Sequence, residues 1–189
     1  MNTISPIIRA AVRLVVRYHH GQKRKGDDSP YLTHPVAVAL MLKQHGFSEE
    51  TIAAGLCHDL LEDTDCPERL IAHHCGQRVL DIVKAVTNDD SLPWREKKEA
   101  YITSVRSGSA EAKAVCCADK NHNLRSLLAA YEKQGEALWS RFNKGKQDKL
   151  WFEQAVLEML RERWDHPLVE EYAGLVKRME LLSRNVGKS

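Results

Sequence analysis

Long apolar runs are missing from this sequence. None of the 189 residues falls in an uninterrupted apolar stretch of about 18, the length a membrane-crossing helix needs. No transmembrane helix and no membrane partner are expected. Met1 to Ala10 lacks the basic start and apolar core of a secretory signal. A charge excess is missing as well. The 28 basic and 26 acidic residues leave a net charge of +2, so net charge gives no reason to expect a nucleic-acid partner. Paired cysteine spacing is also absent. Cys57, Cys66, Cys75, Cys116 and Cys117 are odd in number and form no C-x-x-C. That argues against a disulfide framework and for reduced, mostly buried thiols in a cytoplasmic protein. Gly-rich phosphate loops of the G-x-x-x-x-G-K-[ST] and G-x-G-x-x-G kinds are lacking, as is a G-x-S-x-G elbow. No repeat or low-complexity segment occurs.

What is present is helical periodicity. IIRAAVRLVVRY (7–18) repeats apolar residues at intervals of three and four. PVAVALMLKQ (35–44) has proline in its first turn, where a missing N–H costs nothing. Gly46 stops it, and Ser48-Glu49-Glu50 opens a helix expected to run to Glu62. Further helices are expected over 67–76, 77–86, 110–131, 149–163 and 167–182. Polar loops are expected over 23–29, 87–95 and 134–147. No alternating strand pattern appears. The expected fold is an all-α single domain over 1–189, with about seven to nine helices by element counting.

Four side chains stand out as ligand types for a divalent metal: His34, His58, Asp59 and Asp119. A buried His or Asp taken singly is more often a hydrogen-bonded core or capping residue. The helix bearing CHDLLEDT is otherwise apolar, however, and carries four ionisable groups, His58, Asp59, Glu62 and Asp63. Burying so many is costly unless they are paired, metal-bound or facing a cleft. Glu62 and Asp63 follow His58 and Asp59 by one turn, which places carboxylates where they can orient a water and take its proton. Asn123 and Ser126 fall on the stripe of Asp119, and an exposed helix face explains them equally well. His73-His74-Cys75 lacks the paired spacing of structural zinc and reads as surface.

The segments YHHGQKRKGDDSPYLTHP (18–35), HDLLEDT (58–64), VKAVTN (83–88) and ADKNHNLRSL (118–127) occur in this order. Together they resemble the hydrolase domain of the Rel/SpoT family, and specifically its single-domain members, the small alarmone hydrolases. WSRFNKGKQDKLWF (139–152) extends the likeness. The resemblance implies an HD-domain helical fold with bound Mn²⁺. It implies His34, His58, Asp59 and Asp119 as metal ligands and Glu62 and Asp63 as the pair that activates the water. Arg24 and Lys25 match the nucleotide-contacting loop, and Asn123 and Ser126 match positions at the nucleoside. The implied reaction removes pyrophosphate from the 3′ position of a small-molecule nucleotide, (p)ppGpp or (pp)pApp. A chain of this length leaves no room for the synthetase domain of long members.

Basic side chains suit that chemistry, since charge on phosphoryl oxygens needs neutralising. Lys144, Lys146 and Lys149 form a second cluster able to hold distal phosphates. Trp151 is placed either to stack on a base or to fill the core. Two positions depart from the family: Cys116 stands where a Lys is usual, and Trp94 where some relatives carry a phosphate-holding Lys. The alternatives are an HD phosphohydrolase acting on another nucleotide and a non-catalytic alarmone-binding module. Oligomeric state leaves no signal in the sequence.

Overall fold

The computed structural model describes residues 5–24, 28–141 and 144–184. Among these, ten α-helical segments follow one another: α1 (Pro6–Tyr18), α2 (Thr33–Gln44), α3 (Glu49–Cys57), α4 (Leu60–Asp63), α5 (Glu68–Cys75), α6 (Gln77–Ala85), α7 (Trp94–Ser107), α8 (Ala110–Gln134), α9 (Lys146–Arg163) and α10 (Pro167–Arg184). A 3-10 segment (Gly135–Arg141) joins α8 to α9. No strand occurs among the described residues; Lys23 and Pro30 form an isolated antiparallel bridge. No helix is long and apolar enough to cross a membrane. The all-α expectation holds.

α8 organises the molecule. Its first half, AEAKAVCCADKN, is built of small residues, and every side chain from Ala112 to Asn121 is buried. A helix buried on all sides must have neighbours on all sides, and α8 packs against α2, α3, α6, α7, α9 and α10. The small residues of α3 allow a second close approach. A Cβ on Gly55 would lie 2.4 Å from Leu42 Cδ1 of α2.

Two expectations are corrected. The helix expected from Glu49 to Glu62 breaks at His58-Asp59, between α3 and α4. His58 Nδ1 donates to the Gly55 carbonyl oxygen at 2.8 Å, an acceptor that a continuous helix would give to the Asp59 N–H. The second correction is the loop expected over 87–95, which gives way to α7 at Trp94; α7 itself is not among the expected helices and lies in a stretch without apolar periodicity. WREKKEAYITSVRS buries only Tyr101 and Val105, so its helix is tied down by polar contacts instead. Ser104 Oγ donates to the Ala85 carbonyl at 2.9 Å and Arg106 donates to Glu162 at 2.6 Å. The five cysteines are free and buried, as expected.

Candidate metal centre

α2, the α3–α4 break and α8 bring His34, His58, Asp59 and Asp119 to one point. His34 Nε2 lies 3.1 Å from His58 Nε2 and 3.0 Å from Asp119 Oδ1. His58 Nε2 lies 3.1 Å from Asp59 Oδ2 and 3.5 Å from Asp119 Oδ1. Ligand atoms of His34, His58 and Asp59 all fall within 4.8 Å of one another. His58 and Asp59 both keep right-handed helical backbone angles at the break, and an ion beside this turn can be reached by both side chains.

The donor chemistry fits a divalent cation. His58 gives its Nδ1 proton to Gly55, which leaves the Nε2 lone pair aimed into the cluster. His34 Nδ1 meets His122 Nδ1 at 2.7 Å. Burial, with His34 and Arg24 nearby, lowers the His122 pKa to about 4. Neutral His122 can therefore accept the His34 Nδ1 proton, and His34 Nε2 is freed in the same way. Burial opposes charging of His58, yet Asp59 and Asp119 outweigh it and raise its pKa well above the ordinary value. Burial also opposes ionisation of Asp59 and Asp119. His58 and His34 nevertheless hold Asp59 low, and Lys120 with the two imidazoles holds Asp119 well below the usual range. A site that draws positive charge to the buried His58 nitrogen between two anionic carboxylates is the electrostatic environment a metal cation occupies.

The carboxylates beyond the cluster are held from outside it. Asn88 donates to Glu62 Oε2 through its backbone N–H at 3.2 Å and its Nδ2 at 2.7 Å. That leaves Oε1 for the cavity. Tyr31 Oη lies 2.6 Å from Asp59 Oδ2 and 2.7 Å from Asp63 Oδ2. One hydroxyl has one proton, so Tyr31 donates to one of the two carboxylates at a time. Burial and the Asp59 charge raise the Asp63 pKa, against the Tyr31 hydrogen bond that lowers it.

Two cavities meet here. One, of about 330 Å³, is lined by His58, Asp59 and Asp119 of the cluster, with Glu62, Asn88, Trp94 and several lysines. The other, of about 930 Å³, is lined by Gln22, Arg24, Asn123, Ser126 and the side of α8 as far as Gln134. They share Tyr31, Asp63, Asn123 and Lys149. Arg24 donates to Asn123 Oδ1 at 2.9 Å and Asn123 donates to Asp119 Oδ1 at 2.5 Å. The basic loop is thus tied directly to a candidate ligand. Lys25 lies outside the described residues. Lys144 lines the metal-side cavity, its Nζ 5.8 Å from the Trp94 ring centre. Lys146 does not line either cavity. It is engaged by Glu136 at 2.6 Å and by the faces of Tyr131 and Trp139. Trp151 also lines neither; it is covered by the Arg95 guanidinium, 3.1 Å from its ring centre. Of the two departures, Trp94 faces the metal-side cavity, while Cys116 is wholly buried beside Tyr101.

Sequence reasoning missed Tyr31, Asn88, Lys98, Lys120 and His122. Tyr31, Asn88 and Lys120 lie within or just beside the segments quoted above. Nothing in local spacing distinguishes them from neighbouring polar residues: Tyr31, Asn88 and His122 act across long sequence separations, and Lys120 next to Asp119 looks like any adjacent charge pair.

The HD-domain family matches residues 11–144. Guanosine-3′,5′-bis(diphosphate) 3′-pyrophosphohydrolase MESH1 of Xenopus tropicalis is 37% identical over 130 residues, 67% of this chain and 73% of that protein. A solved structure described as a metazoan ortholog of SpoT that hydrolyses ppGpp superposes with a TM-score of 0.80 at 25% identity, covering 96% of this chain and 99% of the other. A protein from Listeria monocytogenes EGD-e superposes at 0.71 with 36% identity, covering 80% and 96%. Agreement over most of the chain, in sequence and in fold, makes it a member of the HD-domain family, with MESH1-type and SpoT-type hydrolases among its relatives.

Proposed function

We propose that this protein hydrolyses the 3′-pyrophosphate of ppGpp, with Mn²⁺ held by His34, His58, Asp59 and Asp119. The observation that carries the reading is the convergence of these four donors beside Glu62 and Asp63, at the junction with the cavity of Arg24, Asn123 and Ser126. The names of the relatives support the substrate. A bound divalent cation would supply Lewis-acid activation of water and neutralise phosphoryl charge.

The chain's own residues do the rest. Arg24 and Asn123 place the nucleoside in the larger cavity, so that the 3′ substituent passes Lys149 toward the cluster. Glu62, fixed by Asn88, takes the proton of the attacking water through its free oxygen. Asp63, with its raised pKa, passes a proton to the reaction centre, while Tyr31 keeps its own proton and positions it. The bond between the 3′ oxygen and phosphorus breaks. The phosphorus keeps the oxygen of water and leaves in pyrophosphate, and the 3′ oxygen takes a proton and stays with the nucleoside. The decisive assay is product analysis with ppGpp and ppApp side by side, after chelation and reloading with Mn²⁺, Mg²⁺ or Zn²⁺. GDP and pyrophosphate in equal amounts, greatest with Mn²⁺, is the expected result. Faster release of ADP from ppApp would reassign the base. Tight nucleotide binding without release would make this a binding module.

A further inference from the structure

Three ammonium groups from three different helices gather around one ring. Lys98 Nζ of α7 lies 4.9 Å from the centre of Phe152, Lys120 Nζ of α8 lies 5.3 Å away, and Lys149 Nζ of α9 lies 5.8 Å away. All four residues line the metal-side cavity. Like charges so gathered oppose one another, and two of the three are held by carboxylates. Lys120 donates to Asp119 Oδ2 at 2.7 Å. Lys149 pairs with Glu153, which is itself wholly buried and accepts a hydrogen bond from the buried Tyr172 hydroxyl. A buried glutamate is costly to fold around, and here it fixes the position of a cavity-wall cation. Lys98 is different. Among the described residues it pairs with no carboxylate, and its hydrogen-bond partner is Asn88 Oδ1 at 3.0 Å.

The position of the three cations indicates the ligand. Lys149 is shared by both cavities, whereas Lys98 and Lys120 line only the metal side. A nucleotide whose nucleoside sits with Arg24 reaches Lys149 before Lys98 and Lys120. We infer that Lys98, Lys120 and Lys149 form an anion subsite around Phe152 for the terminal phosphate of the departing pyrophosphate, with Glu153 and Tyr172 as positioning residues for Lys149. This rests on the 3′-pyrophosphohydrolase reading for the direction of the substrate. The subsite makes the enzyme selective for a 3′-diphosphate over a 3′-monophosphate, and Asn88 couples it to Glu62, since the same amide contacts both Lys98 and that carboxylate.

The test is titration of the full-length, Mn²⁺-loaded protein with inorganic pyrophosphate, inorganic phosphate and GDP, comparing wild type with Lys98→Met and Lys98→Arg. Lys98→Met is expected to weaken pyrophosphate at least tenfold, to leave GDP within twofold and to leave the thermal unfolding midpoint unchanged. Lys98→Arg is expected to restore most of the pyrophosphate affinity, and Glu153→Gln to lower pyrophosphate affinity selectively. An equal loss for GDP and pyrophosphate would show that these lysines hold the 5′-phosphates and overturn the assignment, as would unchanged pyrophosphate binding. Because this is direct binding, it is independent of turnover. Absence of pyrophosphate release from ppGpp would sink the proposed function, while pyrophosphate titration would still decide the subsite.

Discussion

At the residue scale, the metal cluster and its flanking carboxylates separate into two jobs that mutation can distinguish. Asp59 faces both imidazoles, so Asp59→Ala should abolish bound metal, measured by elemental analysis of dialysed protein, together with activity. Glu62 approaches none of the four ligand residues in an ion pair and is held by Asn88. Glu62→Gln should therefore keep its metal and lose turnover by roughly 10²–10⁴-fold, the range of a positioned general base. Full activity in that variant would remove Glu62 from the mechanism. Lys98 supplies a pH signature. Burial, with Lys120 of α8, Lys149 of α9 and Lys97 of its own helix, lowers its pKa to about 8 against the pull of Glu62 on α4. Its charge is present below that pH and lost above it. Pyrophosphate affinity should accordingly fall as pH rises through about 8 in wild type, and stay flat to higher pH in Lys98→Arg, whose guanidinium does not titrate there. His34, His58, Asp59, Asp119, Glu62 and Asp63 were legible from residue type and spacing together with the family likeness. Tyr31, Asn88 and His122 were not, because a tyrosine bridging two carboxylates or a histidine fixing another's tautomer has no local pattern.

At the element scale, most helices could be read from apolar periodicity and end signals such as Pro35, Gly46 and Ser48, whose side chain accepts from the Thr51 N–H at 3.3 Å. The break between α3 and α4 could not be read, since it turns on an imidazole taking a backbone acceptor. Nor could α7, whose burial of two side chains leaves no periodic face. The close packing of α2 on α3 is a separate requirement. Gly55→Ala would put a methyl 2.4 Å from Leu42 Cδ1, on the element that delivers His58 and Asp59. A destabilisation of about 1–3 kcal/mol is expected from such overpacking, measured by urea denaturation. Because the shift also moves the ligands, metal affinity should fall with it. An unchanged midpoint would mean that Leu42 relaxes freely.

At the scale of the whole molecule, the proposed metal site would link cation binding to folding. The cluster draws on α2, the α3–α4 break and α8, which lie far apart in sequence and meet only in the folded chain. A cation that binds only the folded state stabilises it by about 2.7 kcal/mol at a hundredfold excess over Kd. For a chain of this size that is several degrees in Tm. Chelation should lower the Tm and Mn²⁺ should restore it, while Asp59→Ala should show neither response. By itself the sequence determined the all-α class, most helix positions and the residue types of a metal site, because periodicity and ligand chemistry are local properties of the chain. Tertiary structure alone decided how His58 and Asp59 share one point, which groups orient them, and that three lysines from three helices meet around Phe152. Those relations depend on distances between segments far apart in the chain, which spacing along one helix cannot encode.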